Sequence, residues 1–160
     1  MHAALGDARQ AETHLSAADV LLSEGLGEDI PRWVDYFDAA EHAGARAVSA
    51  RDLAGLGPGG ESSSMQFKAA LRLRRPGFER VRVMDRVGLA AALFAEGEPE
   101  QGAEAAQQAL DDALRVDSTL VASRLNTLLK AARPYRTATV DEVRVRAEEL
   151  KASRSTTIAA

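Results

Sequence analysis

The strongest constraint on the fold is a pattern of small residues that recurs around glycines. Gly6 and Gly97 are each followed by small or apolar residues five, nine and twelve positions later. After Gly6 these residues are Ala11, Leu15 and Ala18, and after Gly97 they are Gly102, Ala106 and Ala109. Small side chains at helical spacing let two helices pack closely, and glycine readily forms the turn between them. The pattern therefore predicts helical hairpins that turn near Gly6 and Gly97.

A third and weaker copy of the pattern surrounds Gly57. The positions eight, seven and four residues before Gly97 and Gly57 hold small or apolar side chains, and Ala69 follows Gly57 by twelve positions. The preceding residues are Leu89, Ala90 and Leu93 for Gly97, and Ser49, Ala50 and Leu53 for Gly57. We expect a third hairpin turn near Gly57, inside a glycine-rich loop.

The composition also favours helices. Of the 160 residues, 46% are hydrophobic and only 4% are aromatic, so the core must consist mainly of alanine, leucine and valine. Alanine and leucine favour helices, and no stretch alternates as a strand does. We predict an all-α protein of five or more antiparallel helices, with capping boxes that start at Asp38 and Thr139. The predicted helices cover residues 5–22, 39–56, 65–75, 81–95, 99–115, 118–133 and 139–151, with a short helical turn at 31–37.

The glycine pattern resembles the tetratricopeptide repeat, a helix–turn–helix unit of about 34 residues with small residues where the helices cross. Gly102, Ala106 and Leu114 stand where that repeat usually has alanine, an aromatic residue and proline, so the repeats here are degenerate. The resemblance implies antiparallel helical hairpins stacked as a short α-solenoid. Residues 1–152 would form this repeat domain, with an incomplete first repeat, and residues 153–160 a flexible tail.

The segments "PRWVDYFDAAEHAG", "RRPGFERVRVMDRVGLAAALFAEGEPEQGAEAAQQAL" and "STLVASRLNTLL" resemble the helical-repeat region of actinobacterial transcriptional regulators. In that family a helix-turn-helix domain of the phage-repressor type precedes the repeats. The likeness covers residues 5–151, and no segment matches the DNA-binding domain. The resemblance implies a regulatory domain that senses a peptide, a small molecule or a protein partner. The alternative is a structural adaptor or oligomerisation module without signal input.

Partner binding follows from the same resemblance. In tetratricopeptide folds the first helix of each hairpin lines a concave groove that accepts a helical or extended peptide. The groove positions would be Val48, Arg51, Met84, Val87, Ala91 and Phe94. Because Gly6 occupies a mid-repeat turn, we also expect an exposed apolar face at Ala11, Leu15 and Ala18. A second copy in a homodimer, or a missing upstream segment, would cover that face.

Charge is distributed unevenly along the chain. Residues 65–86 contain seven basic and two acidic side chains, a local net charge of +5, whereas the whole chain carries −4 and the remainder therefore −9. A basic block on an acidic body can attract an anionic partner, although such a block is more often a solvated helix face. The candidate residues for an anionic-partner patch are Lys68, Arg72, Arg75, Arg80, Arg82 and Arg86. Direct nucleic-acid binding is not expected, because the net charge is negative and no recognition helix is identifiable.

Catalytic and metal-binding patterns are not found in the sequence. In "GLGPGGES" Glu61 occupies the lysine position of a phosphate-binding loop, and in "GGESSSM" Ser64 replaces the second glycine of a nucleophile elbow. The three histidines are far apart, and there is no cysteine. Asp38, Glu41 and His42 could together hold a metal, but a helix start explains them more simply. We therefore expect no catalytic residues, no metal, no cofactor and no enzymatic activity. Without an apolar run of membrane-spanning length or a secretory signal, we also expect a cytoplasmic protein with no membrane partner.

Overall fold

A computed structural model describes residues 1–24, 37–54, 62–116 and 119–155, and the chain divides into two compact units, Met1–Arg74 and Arg75–Ala160. Within these described ranges all regular secondary structure is helical, which confirms the all-α prediction. After a short 3-10 helix at Ala3–Leu5, the α-helices are α1 (Ala8–Glu24), α2 (Ala39–Leu53), α3 (Ser63–Leu73), α4 (Glu79–Ala95), α5 (Pro99–Ala113), α6 (Thr119–Ala132) and α7 (Ala138–Ser155).

The first unit consists of α1, α2 and α3, with α2 packed against both of the others. Asp38 caps α2 as predicted, since its carboxylate accepts hydrogen bonds from the backbone N–H groups of Ala40 and Glu41 at 2.9 and 3.0 Å. The predicted capping-box partner, Glu41, instead forms an ion pair with the buried Arg74 at 2.6 Å. This pair joins the start of α2 to the residue that follows α3.

The start of the chain differs from the prediction. Gly6 has the left-handed conformation (φ 78°) expected of a turn residue, but it separates the short 3-10 helix from α1. The predicted apolar face on α1 is not fully exposed: Ala11 is buried, and Leu15 and Ala18 are half-buried. α1 packs against α2 and the 3-10 helix, and this packing covers the face in part.

The second unit contains two helical hairpins, α4–α5 and α6–α7. The first helices of the two hairpins, α4 and α6, pack together, and so do the second helices, α5 and α7. Gly97 ends the first hairpin's α4 in the left-handed conformation (φ 84°), as the sequence predicts. Its N–H donates to the Phe94 carbonyl, and the Glu98 N–H donates to the Leu93 carbonyl, a Schellman turn that satisfies the last carbonyls of the helix.

Small residues lie where α4 and α5 touch. Ala106 and Ala109 are fully buried, and a Cβ atom added to Gly102 would lie 2.9 Å from the Phe94 ring. Such a distance is too short for van der Waals contact, so glycine at position 102 provides the space that the ring occupies. The small-residue pattern after Gly97 thus marks a helix contact, as predicted.

Enlarging Ala109 should therefore destabilise the protein. The side chain is completely buried in the core of the second unit, and leucine would add three carbon atoms to a filled contact. We expect Ala109→Leu to reduce the free energy of unfolding by about 1–3 kcal/mol, measured by urea denaturation. Gln108→Leu, at the exposed neighbouring position, is the matched control and should leave the urea midpoint nearly unchanged. Equal midpoints for the two variants would contradict the tight packing at position 109.

Helix boundaries depart from the sequence prediction at several ends. α1 begins at Ala8 rather than at residue 5, α3 begins at Ser63 rather than at 65, and α7 continues to Ser155, beyond the predicted end at 151. The start of the predicted tail, residues 153–155, is therefore helical. The predicted turn at Gly57, residues 31–36 of the predicted helical turn at 31–37, and the glycine positions of the "GLGPGGES" loop lie outside the described residues. Phe37 is described and is not helical.

Three arginines of α7 form hydrogen bonds to α5, to α6 and to the residues that follow these helices. Arg144 donates to the carbonyls of Ala132, Arg133 and Tyr135 at the end of α6. Arg154 donates to the carbonyls of Ala113 and Val116 at the end of α5. Arg146 pairs with Asp111 of α5 at 2.6 Å and also contacts Gln107. Because helix carbonyl ends carry partial negative charge, guanidinium groups satisfy them both electrostatically and by hydrogen bonding.

Candidate binding surfaces

The predicted groove positions of the second unit lie inside its core. Val87, Ala91 and Phe94 are each at most 2% exposed, and Met84 is half-buried against the core cluster. Packing within the unit therefore accounts for the apolar character of Val87 and Phe94. A partner would reach these two side chains only if the helices moved apart.

The two groove positions of the first unit, Val48 and Arg51, are half-buried on α2. The Arg51 guanidinium forms an ion pair with the adjacent Asp52 at 2.8 Å. The charge that the sequence predicts as a basic neighbour of the groove is therefore partly neutralised by its own helix.

The predicted anionic-partner patch is divided between the units. Lys68 and Arg72, one helical turn apart on α3, are half-buried and exposed respectively, and neither forms an ion pair among the described residues. In the second unit Arg80 is exposed and Arg82 is half-buried. The remaining two are engaged within the second unit. Arg75 lies over the Phe78 ring at 5.8 Å, and Arg86 pairs with Asp112 on α5.

The residues of the suspected metal group are used separately. Asp38 caps α2, Glu41 pairs with Arg74, and His42 is directed at Asp19 of α1. Among the described residues there is no group of three or more histidine, cysteine or carboxylate side chains that could hold a metal ion. The explanation of this segment as a helix start is the one the geometry supports.

A cluster of charged groups between α1 and α2 was not predicted from the sequence. Asp19 accepts from His42 Nε2 at 2.6 Å through one oxygen and from Arg46 at 2.5 Å through the other. Arg46 also lies 3.7 Å from Glu12. His42 is buried with the Phe37 ring edge-on against it, and its Nδ1 has no hydrogen-bond partner among the residues that the structure describes. Asp19 and His42 are 23 positions apart, and this separation conceals the contact in the sequence.

The hydrogen bonds from Arg46 and His42 lower the pKa of Asp19 below its usual value of 3.8. Because the carboxylate is favoured in the folded state, its contribution to stability is present above the unfolded pKa and is lost as pH falls through the folded pKa. We expect acid to weaken the docking of α1 on α2, and Asp19→Asn to remove that part of the pH dependence. Urea midpoints measured from neutral to acidic pH check this, with Glu24→Gln on the same helix as the control. An unaltered pH profile in Asp19→Asn would contradict it.

A second unpredicted feature is a group of basic side chains on α6 and the turn that follows it. Residues 119–140 contain four basic side chains and no acidic one. All four are exposed, and none forms an ion pair within the part of the chain that the structure describes. We call them the α6 cationic surface: Arg124, Lys130, Arg133 and Arg136. The absence of acidic residues over this stretch is the sequence signal that could have identified it.

Comparison of the chain with protein-family models, with curated proteins and with solved structures finds no significant match. Within the described residues, each helix is too short or too polar to cross a lipid bilayer.

Proposed function

We propose that the protein is a non-catalytic regulatory binding domain of the tetratricopeptide type, part of or derived from a cytoplasmic transcriptional regulator. The observation that carries the proposal is the arrangement of the second unit, in which α4 packs on α6 and α5 packs on α7. Stacked hairpins pair first helix with first helix and second with second in this way. The Schellman turn at Gly97 and the close contact of Gly102 with Phe94 agree with the repeat pattern in the sequence.

The partner of such a domain would be a peptide, a small molecule or another protein, and direct contact with nucleic acid is not part of the proposal. Its test is titration of the isotope-labelled protein with peptide and metabolite libraries, followed by NMR. We expect one chemical class to shift a contiguous set of backbone amide signals without being chemically altered. Chemical conversion of a bound compound would instead identify an enzyme.

A structural adaptor is the second candidate, and exposed apolar side chains favour it. Leu114 and Leu120, on either side of the α5–α6 connection, are 67% and 55% exposed, and Val145 on α7 is 58% exposed. Exposed apolar groups are common sites of protein association when they are contiguous. Light scattering distinguishes the two candidate functions. The adaptor would be favoured if the protein self-associates to the same degree with and without ligands. The double variant Leu114→Ser with Leu120→Ser should then abolish this self-association.

A further inference from the structure

The positive charge of the α6 cationic surface is not needed to complete the helix that carries it. Cations near a helix C-terminus often stabilise its free carbonyls, and Lys130 and Arg133 lie at that end. Here, however, Arg144 of α7 already donates to the carbonyls of Ala132, Arg133 and Tyr135. The positive charge of the α6 cationic surface is therefore present in addition to the guanidinium group that already satisfies the carbonyls at the end of α6.

The backbone beneath this surface is fixed by contacts that point inward. The Tyr135 hydroxyl donates to the Phe94 carbonyl at 2.5 Å, and the two rings lie 5.7 Å apart. Arg133 and Arg136 flank this anchored tyrosine and are themselves exposed. A cationic turn that is already ordered loses less conformational entropy when it binds a partner than a mobile one would.

Several other cations of the second unit, although not Arg80, are neutralised within it. Arg86, Arg144 and Arg146 pair with Asp112, Asp141 and Asp111, respectively. Exposed cations without a carboxylate are thus concentrated at one helix and its turn, where the sequence places no acid for 22 residues, from 119 to 140. Such local concentration of one sign of charge attracts groups of the opposite sign.

We propose that the α6 cationic surface binds an acidic segment of a partner protein, rich in aspartate and glutamate. Three of its four members are arginines, whose planar guanidinium groups match carboxylates in bidentate geometry. Arg124 and Lys130 are six positions apart on α6, about 9 Å along the helix axis and about a third of a turn around it, so a peptide that contacts both must cross the exposed side of the helix obliquely.

The surroundings favour a peptide over a nucleic-acid duplex. Asp141 and Glu142, both exposed, follow the turn directly, and the Thr139 hydroxyl bonds to Glu100 at 2.8 Å. A regular phosphate backbone laid across this end would run over these carboxylates, whereas a peptide can place its charges against the cations alone. The net charge of −4 adds to the repulsion of a polyanion that extends beyond the surface.

The experiment measures fluorescence anisotropy of a labelled oligoglutamate peptide with the full chain, at low and at high salt. In the test variant, glutamine replaces all four cations (Arg124→Gln, Lys130→Gln, Arg133→Gln and Arg136→Gln). We expect saturable, salt-weakened binding by the wild type and about tenfold or greater weakening in this variant. The control variant is Lys68→Gln with Arg72→Gln and Arg80→Gln, which removes three cations of the anionic-partner patch predicted from the sequence. Binding that this variant retains distinguishes the α6 cationic surface from that patch. Circular dichroism melting checks that both variants fold like the wild type.

Several results would overturn the proposal. These are absence of peptide binding by the wild type, equal binding by the test variant, or loss of binding in the control variant. Tighter binding of a short DNA duplex than of the peptide would assign the surface to nucleic acid. Self-association that disappears in the test variant would assign it to a second copy. The α6 cationic surface contains none of the predicted groove residues. A negative result with the oligoglutamate peptide therefore does not affect the NMR ligand titration of the proposed function. A negative result in that titration likewise does not affect the peptide experiment.

Discussion

Phe94→Ala is expected to reduce the free energy of unfolding of the second unit by about 3–5 kcal/mol, because it removes a fully buried ring from a filled core. Phe94 is 1% exposed and its ring contacts Tyr135. Gly102 has no side chain to move into the vacated space, so the cavity would persist. Urea denaturation followed by circular dichroism measures the loss.

Leu114→Ala provides the comparison for Phe94→Ala. Leu114 is an apolar residue of the same unit that is 67% exposed, and its replacement should change stability by no more than about 0.5 kcal/mol. The pair also distinguishes two roles for Phe94. If the Phe94 ring served chiefly as an exposed contact for a partner, Phe94→Ala and Leu114→Ala would have similar free energies of unfolding. That outcome would contradict the packing described above.

The second large effect is expected at Arg144. Replacing it with methionine keeps an unbranched side chain but removes the donor to three carbonyls at the end of α6 and the ion pair with Asp141. Hydrogen bonds from charged donors contribute about 1.5–3 kcal/mol, and we expect Arg144→Met to destabilise the protein by that amount. Thermal and urea unfolding both measure it.

Arg133→Met is the matched control for Arg144→Met, since Arg133 lies in the turn that Arg144 contacts and its own side chain forms no ion pair among the described residues. Its replacement should leave stability within about 0.5 kcal/mol of the wild type. If Arg144→Met and Arg133→Met unfolded at the same temperature and urea concentration, the contacts of Arg144 with the end of α6 would not contribute to stability.

Local chemistry made some of these features predictable. Asp38 caps α2 because a short acidic side chain can reach the first free N–H groups of its own helix, and that information lies within four residues. Gly97 forms its turn because a left-handed residue is required there and glycine adopts that conformation without strain. The repeat spacing then identified Gly102, Ala106 and Ala109 as contact positions, because helix periodicity alone determines which residues share a face.

Long-range contacts account for what the sequence did not reveal. Thr139 was predicted to cap α7, but its hydroxyl bonds to Glu100, 39 residues away, and Thr137 accepts the bond from the Val140 N–H instead. Likewise, Arg86 was counted as a free cation, although Asp112 lies against it in the folded hairpin. A pattern of charges along the chain cannot show such pairs, because they form only when the helices pack.

The two ends of α7 are attached to different hairpins, and this has a consequence for how the second unit comes apart. Arg144, near the start of α7, holds the end of α6, while Arg154, near its finish, holds the end of α5. Segments with few buried contacts commonly open before the rest of a protein does. Here α7 cannot separate without exposing the carbonyl ends of two other helices, so amide hydrogen exchange in α5, α6 and α7 should proceed through a single shared opening.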